Sequence, residues 1–417
     1  MRQVDVAIIG GGAVGMCAAH YLCAQGRQVV VLEQGEVGSG SSHGNAGMIV
    51  PSHSVPLAEP GVIGQGLKWM LDPESPFYIK LRWDMALLGW LWRFRRACSA
   101  AQVQRAMPLL RDLHLESLRL YGELDALEEL EFGFARRGRL LLCRSAGGLQ
   151  GAERESQHMR DIGLEVEILD ARGVQQLEPS VNFACAGGVF YPQDAHLDPA
   201  RFVRALATYV DKRGGEILTS TEVLNLARSG RSIRVVETTR GDFAAAEVVL
   251  ASGSWSPDLV RALGIKLPIQ PAKGYSVTVA RPLRCPTIPF MLTEARVAVT
   301  PMGETLRFAG TLELAGMDFS INQRRVDALL RAIPAYVPDY DPEQFEVIEI
   351  WRGLRPCTPD GLPFLGRVRA YDNLTVATGH ASVGMSLAPA SGELVARLVE
   401  REEPGIDASL LRVERFD

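Results

Sequence analysis

Six residues near the start, GGGAVG at Gly10–Gly15, narrow the possible folds sharply. Val4, Val6, Ile8 and Ile9 precede them as a short buried strand. Ala13 to Gln25 follows as a helix with an apolar face, and Val29–Leu32 reads as a second strand ending at Glu33. A strand–turn–helix–strand unit with G-x-G-x-x-G and an acidic residue about 20 residues on is a dinucleotide-binding pattern. Gly10 permits the tight turn, Gly12 lets backbone approach a pyrophosphate, and Gly15 lets helix and strand pack closely. The helix opens at Ala13 and Val14, and its unpaired N–H groups and dipole favour the phosphates. Glu33, with Gln34 beside it, is expected to accept hydrogen bonds from a ribose diol. The motif by itself leaves NAD and FAD open.

Length and composition set further bounds. The 417 residues hold two or three domains' worth of core, and 47% hydrophobic with 22% charged residues describes an ordinary folded chain. A net charge of −5 gives no electrostatic case for nucleic acid. The seven cysteines are dispersed without C-x-x-C or metal-ligand spacing, so a reducing compartment and no metal site are expected. The first strand begins without a signal-peptide pattern, and no run of about 20 apolar residues occurs. The expected location is the cytoplasm, with peripheral attachment to the inner face of a membrane left open.

Residues 37–53, VGSGSSHGNAGMIVPSH, are too polar for a strand and too glycine-rich for a helix. They read as a loop covering the cofactor beyond its pyrophosphate, through Ser41, Ser42, Asn45, Ala46, Gly47 and Met48. A plain solvent loop is the alternative. Four of the six tryptophans (69, 83, 90 and 92) fall in residues 56–100, among Phe77, Tyr78, Phe94, Arg93, Arg95 and Arg96. Two readings follow: helices with aromatics in the core, or an interfacial segment over 66–96 with Trp at headgroup depth.

Helices are expected over 101–131, 147–162 and 170–177, with strands at 138–144 and 165–169. Asp198–Pro199 marks a helix start, N-cap then proline. That helix ends near Arg213, before the strand EILTS and Val223, which sits where an adenine could be met by backbone. Strands at 232–238 and 242–245 form a hairpin. EVVLASGSW at 247–255 then gives a buried strand ending in a small-residue turn of Ala251, Ser252, Gly253 and Trp255. Segment 266–345 is β-rich, with a helix around 322–333. A buried strand at Leu374–Ala377 runs into a glycine turn at Gly379, followed by a helix from about Ala388.

Three features act together: the opening glycine motif with Glu33, the VVLASGSW strand, and TVATGHASVGMSLAPASG. A C-terminal glycine turn returning to the cofactor suits FAD, whose ring lies far from its adenine. With SSHGNAGMIVPSHSVP, GLKWMLDPESP, PAKGYSVT, GTLELAGMD and WRGLRPCTPDGLPFLG, nearly the whole chain resembles the D-amino-acid oxidase superfamily of FAD-dependent oxidoreductases. The likeness is greatest to the bacterial D-amino-acid dehydrogenase small-subunit type. It implies an α/β (overall α+β) fold: a Rossmann-like FAD-binding domain (1–55, 195–265 and 346–417) interleaved with a mixed-sheet, helix-capped substrate domain (56–194 and 266–345). It implies non-covalent FAD, oxidation of a D-amino or cyclic D-imino acid, and electron transfer to a quinone or partner protein. The loop's His43 and the turn's GHASVGMS depart from commoner forms of the family and leave substrate identity open.

Flavin-dependent C–N oxidation is a hydride transfer to flavin N5, for which the protein aligns atoms, excludes water and places charge. A substrate carboxylate needs a fixed cation, and Arg355 in GLRP matches the family's carboxylate-binding arginine, with Arg352 as fallback. His380, His53, Tyr275 and Glu313 are candidates to tune the amine or hold the carboxylate. Gly353, Gly379, His380, Ser382, Val383, Gly384, Met385 and Ser386 complete the expected cofactor shell. His43 is the only candidate for covalent flavin attachment, and it stands out of register. Met48, Val50 and Met385 hint at a compact, uncharged substrate of the D-proline or hydroxyproline type. Two rivals remain: a sarcosine- or glycine-type oxidase using oxygen, and a non-catalytic FAD-holding assembly subunit.

Overall fold

A computed structural model describes residues 1–70, 72, 75–80 and 82–417. Leu71, Pro73 and Glu74 of GLKWMLDPESP, and Leu81 of the 66–96 stretch, lie outside the described residues. Two large sheets carry the fold. The first holds five parallel strands in the order Glu216–Leu218, Val29–Leu32, Arg2–Ile9, Phe243–Leu250 and Leu374–Thr378. Phe364–Arg367 adds an antiparallel strand beside Leu374–Thr378.

These central strands read as apolar runs because both faces are covered. Alternate residues go to opposite cores: Val6, Ile8, Val29, Val31 and Val249 pack under helices Ala13–Ala24, Pro199–Lys212 and Gly384–Val399. Ala7, Ile9, Val30, Leu32, Val248 and Leu250 face the other way, onto Val260, Leu263 and the hairpin residues Val223 to Val236. Asp198 caps its helix as expected, accepting from the N–H groups of Ala200 and Arg201 at 3.0 and 3.1 Å.

The second sheet has nine strands of mixed direction. Its path runs Val347–Cys357, Gln270–Ala280, Thr305–Leu314, Val297–Met302, Phe290–Leu292, Arg139–Cys143, Gly187–Tyr191 and Glu167–Asp170. Phe77–Ile79 adds to Thr305–Leu314. Val347–Cys357 lies within a stretch expected in the nucleotide-binding domain, yet it hydrogen-bonds along Gln270–Ala280 and so belongs to this sheet.

Helices fall close to their expected places at Ala100–Asp125, Ala146–Asp161, Ala171–Leu177 and Gln323–Arg331. Ser232–Thr238 pairs antiparallel with the following strand at Val236 and Phe243, as expected, and also with Val223–Ser229 on its other side. Two details need correction. The following strand is longer than expected, Phe243–Leu250, and runs on parallel to the opening strand. The last helix begins at Gly384, not Ala388, and tolerates Pro389 within it.

Candidate active site

The phosphate end is built by close approach of backbones. Gly10 has φ +108°, and a Cβ at Gly15 would stand 2.0 Å from the carbonyl oxygen of Gly10. Only glycine at both positions lets the first helix descend onto this turn. The helix N-cap, Gly12, supplies no side-chain cap, although Ser42 Oγ accepts from Ala13 N–H at 3.1 Å. Glu33 lies at the same turn, its carboxylate accepting from the N–H groups of Gly11 and Gly35, each at 2.8 Å. Ala251 N–H donates to Ile9 at 2.9 Å, which sets the Ala251–Trp255 turn beside the glycine loop. Thr221 N–H reaches the Glu33 carbonyl oxygen, placing Val223 two residues beyond.

Loop 41–48 is clamped between the two sheets rather than free in solvent. Ser41 Oγ and Ser254 Oγ both donate to the Leu354 carbonyl oxygen, at 2.6 and 3.0 Å. His43 Nε2 contacts Glu349 at 3.0 Å, and Gly44 lies against the Trp351 indole. The buried Arg307 guanidinium donates to the carbonyls of His43 and Asn45, both at 2.9 Å. Further along, Gly47 takes φ +70°, and Ala46, Met48 and Val50 pack against Ala298 and Ala309 of the second sheet. Val50 N–H then donates to Ser386 Oγ at 2.8 Å, tying the loop to the C-terminal helix.

The C-terminal turn reaches the same place from the other side. His380 bridges Cys357 through backbone, so Gly379–Ser382 rest against the end of the Arg355 strand. The following helix starts at Val383 and Gly384 without a side-chain cap, leaving N–H groups at its tip for a ligand. Gly253 accepts from Thr378 Oγ1 at 3.0 Å, and Ser252 pairs with Ser256, which joins this turn to the VVLAS turn.

Arg355 shares one sheet face with Trp351 and Gly353, by strand alternation. Its guanidinium lies over Gly274, where a Cβ would come within 2.1 Å of Nη1, and donates to the Thr311 carbonyl oxygen at 2.8 Å. Its side chain is only partly buried, desolvation lowers its pKa, and among the described residues no carboxylate pairs with it. A partly desolvated cation without a counter-ion leaves room for an anion that arrives with a ligand.

Other candidates separate from it. Tyr275 pairs in register with Arg352, and both fall on the face opposite Arg355. The Tyr275 hydroxyl accepts from Asn322 N–H at 3.2 Å within a buried cluster, where Lys273 Nζ stands 3.6 Å from Glu313 and 3.3 Å from Asp318. Tyr275 and Glu313 thus hold the sheet to the 313–322 segment. Arg352 donates to the Phe319 carbonyl oxygen at 3.0 Å. His380 turns its ring into the core, with Nε2 at 2.9 Å from Ser391 Oγ. His53, by contrast, keeps an accessible ring with no hydrogen bond to any described residue. Surrounding protein first, then the charges of Arg139 and Arg296, lower its pKa to about 4.

The backbone carrying His53 is fixed by residues that no sequence pattern marks. Asp194, fully buried, ion-pairs with Arg139 Nε at 3.0 Å and accepts from both the N–H (3.1 Å) and the hydroxyl of Ser52. Arg139 and Asp194 are separated by half the second sheet in sequence, so only the fold brings them together. Breaking a buried pair costs about 3–5 kcal/mol, and Asp194→Ala should lower the unfolding free energy by that amount in denaturant titration. Unchanged stability would contradict this reading.

Buried histidines also set the acid limit. Desolvation, the largest cause, lowers the pKa of His114 to about 3 and those of His196 and His380 to about 4. The unfolded chain therefore binds more protons between pH 4 and an unfolded value near 6.5, and stability falls as pH drops through that window. Each group contributes up to about 1.4 kcal/mol per pH unit there. Thermal melts from pH 7 to 4 should show a steadily falling midpoint, whereas a flat one would contradict the assignment.

A model of the FAD dependent oxidoreductase family matches residues 5–398. The chain belongs to that family. D-amino acid dehydrogenase of Granulibacter bethesdensis is 33% identical over 422 residues, covering 99% of each chain. D-amino acid dehydrogenase of Bradyrhizobium diazoefficiens is 32% identical over 435 residues, again covering 99% of each. The crystal structure of glycine oxidase from Geobacillus kaustophilus superposes over all of both chains with TM-score 0.81 and 27% identity. As an FAD-dependent oxidoreductase, the protein has residues that fit its cofactor. The Gly10/Gly15 cradle and the uncapped Gly12 helix end suit a pyrophosphate, and the uncapped Val383–Gly384 helix end suits an electron-accepting ring. No helix among the described residues is long and apolar enough to cross a membrane.

Proposed function

We propose that this chain is an FAD-dependent D-amino-acid dehydrogenase, oxidising a D-amino or cyclic imino acid. The observation that carries this reading is the half-buried Arg355, without a carboxylate partner among the described residues, on the face covered by loop 41–48. Arg355 would pair bidentately with the substrate carboxylate and fix the Cα hydrogen in one orientation. The cofactor supplies a hydride acceptor at flavin N5 when bound. Loop 41–48, pinned by Arg307, Glu349 and Leu354, excludes water from the reacting centre. The substrate amine must be neutral at transfer, and desolvation beside the Arg355 charge lowers its pKa without a dedicated base. An Arg355→Lys variant tests the bidentate geometry: its KM for a D-amino acid should rise at least about tenfold, and an unchanged KM would overturn it.

FAD binds without a covalent bond, since the His43 ring is already held by Glu349. Acid precipitation should release all the flavin into the supernatant; yellow colour retained in the pellet would contradict this. Electrons pass on to a quinone or partner protein. A membrane-facing surface supports that route: Trp83 is fully exposed, and Met85, Leu88 and Trp92 form an exposed stripe on helix Met85–Ala97. Arg93, Arg95 and Arg96 flank it, with Arg96 over the Trp92 ring at 4.8 Å. The helix's other side, Leu87 and Trp90, packs on Ala272 and Cys357, close to Arg355. Anionic vesicles should co-sediment the protein, and Trp83→Ser with Trp92→Ser should abolish this. No binding to vesicles would remove the membrane route.

The glycine oxidase likeness favours one second reading, an oxidase of the same fold. Hydrogen peroxide formed as fast as dye is reduced would support it over the dehydrogenase. A non-catalytic subunit would instead show no turnover at all.

A further inference from the structure

The sheet face that presents Arg355 continues past it to a second cation. Directly paired residues point to one face, so Trp351, Ser276, Ala309, Ala298 and Met291 form a single row across four pairings. Small side chains at Ser276, Ala309 and Ala298 leave this floor low, and Met48 and Val50 pack over its far half. Arg296 stands at that far end, two residues before Ala298. Its carbonyl oxygen lies 3.3 Å from where a Cβ of Gly310 would be. The next residue, Thr311, is the one whose carbonyl holds Arg355. One short bulge therefore lies against the Arg296 backbone and, through the Thr311 carbonyl, the Arg355 guanidinium.

Arg296 has an unusual conformation for its residue type. Its φ is +55°, a strained left-handed value for a non-glycine residue, and Thr311 is likewise at +62°. The Arg296 guanidinium is exposed and makes no hydrogen bond or ion pair with any described residue. Its charge is felt by His53, three residues beyond Val50, whose accessible ring also lacks a partner. Two other carboxylates face this region. Asp194 is neutralised by Arg139, and Glu59 feels Arg296 without forming an ion pair with it.

We propose that Arg296 and His53 form the subsite for the substrate side chain and select a D-amino acid whose side chain ends in a carboxylate. This rests on the D-amino-acid reading above and sharpens it. Arg355 takes the α-carboxylate at one end of the floor, and Arg296 with the His53 N–H takes the second carboxylate at the other. An uncharged cyclic substrate would leave Arg296 without an anion.

The test is steady-state kinetics of the holoenzyme with D-glutamate, D-glutamine, D-aspartate, D-asparagine, D-alanine and D-proline. The acid should exceed its amide in kcat/KM by about tenfold or more, the size of one accessible charge pair. Arg296→Gln should collapse that ratio to near one, and Arg296→Glu should invert it in favour of the amide. Acid and amide used equally by the wild type, or a ratio indifferent to Arg296→Gln, overturns the subsite while leaving D-amino-acid oxidation standing. If no D-amino acid is oxidised, the broader reading fails, and binding still decides the subsite. Glutarate should raise the melting temperature more than butyrate, and Arg296→Gln should erase the difference; equal shifts in the wild type overturn it.

Discussion

Arg355→Ala should lower kcat/KM for a D-amino acid on the order of 10²–10³-fold while the protein stays folded and yellow. Truncating one partner of a buried, hydrogen-bonded charge pair costs about 2–5 kcal/mol, and each 1.36 kcal/mol is tenfold in rate. The loss should fall on substrate, since among the described residues the guanidinium's hydrogen-bond partner is the Thr311 carbonyl. Stability should hold or rise, because the variant removes a desolvated charge that no carboxylate offsets. Dye-linked kinetics and a thermal melt on the same preparation separate these effects. A variant that melts earlier yet keeps full kcat/KM would make Arg355 a structural residue.

Gly15→Ala should lose the cofactor. Its new Cβ would meet the Gly10 carbonyl oxygen at 2.0 Å, backbone against side chain, with no flexible atom to yield. The first helix must then lift from the glycine turn, taking the Ala13 and Val14 N–H groups away from the phosphates. Forced repacking of this kind costs typically 1–3 kcal/mol, which weakens FAD binding roughly five- to hundredfold. Flavin-to-protein ratio after gel filtration measures it. Full flavin occupancy in the variant would show that this turn does not hold the pyrophosphate.

What could be read from the chain follows from how local each signal is. The Gly10–Gly15 unit, the Asp198 cap and the apolar runs at Val29–Leu32 and Val248–Leu250 are short-range chemistry, and they fold as expected. Arg355 is legible through its GLRP motif. Tyr275 is harder, since a bound hydroxyl and a structural one look alike until the register with Arg352 shows which face it takes. The TGH turn of His380 points it toward the cofactor, and the turn does reach the Arg355 strand, but the ring turns to Ser391. The Asp194–Arg139–Ser52 clamp joins three distant segments, and no local pattern announces it. Arg296 is invisible for a different reason: its strained backbone and empty surroundings exist only once the second sheet has formed. Met48, Val50 and Met385 point to a compact, uncharged substrate from apolar residues alone, whereas the subsite proposed above adds the charge of Arg296.

Anaerobic mixing of the purified yellow protein with D- and L-amino acids is the most direct measurement. The flavin absorbance should bleach with a D-amino acid, return on adding a quinone or dye, and stay unchanged with the L-enantiomer. Bleaching by neither enantiomer, or by the L-form alone, would contradict D-amino-acid oxidation at Arg355.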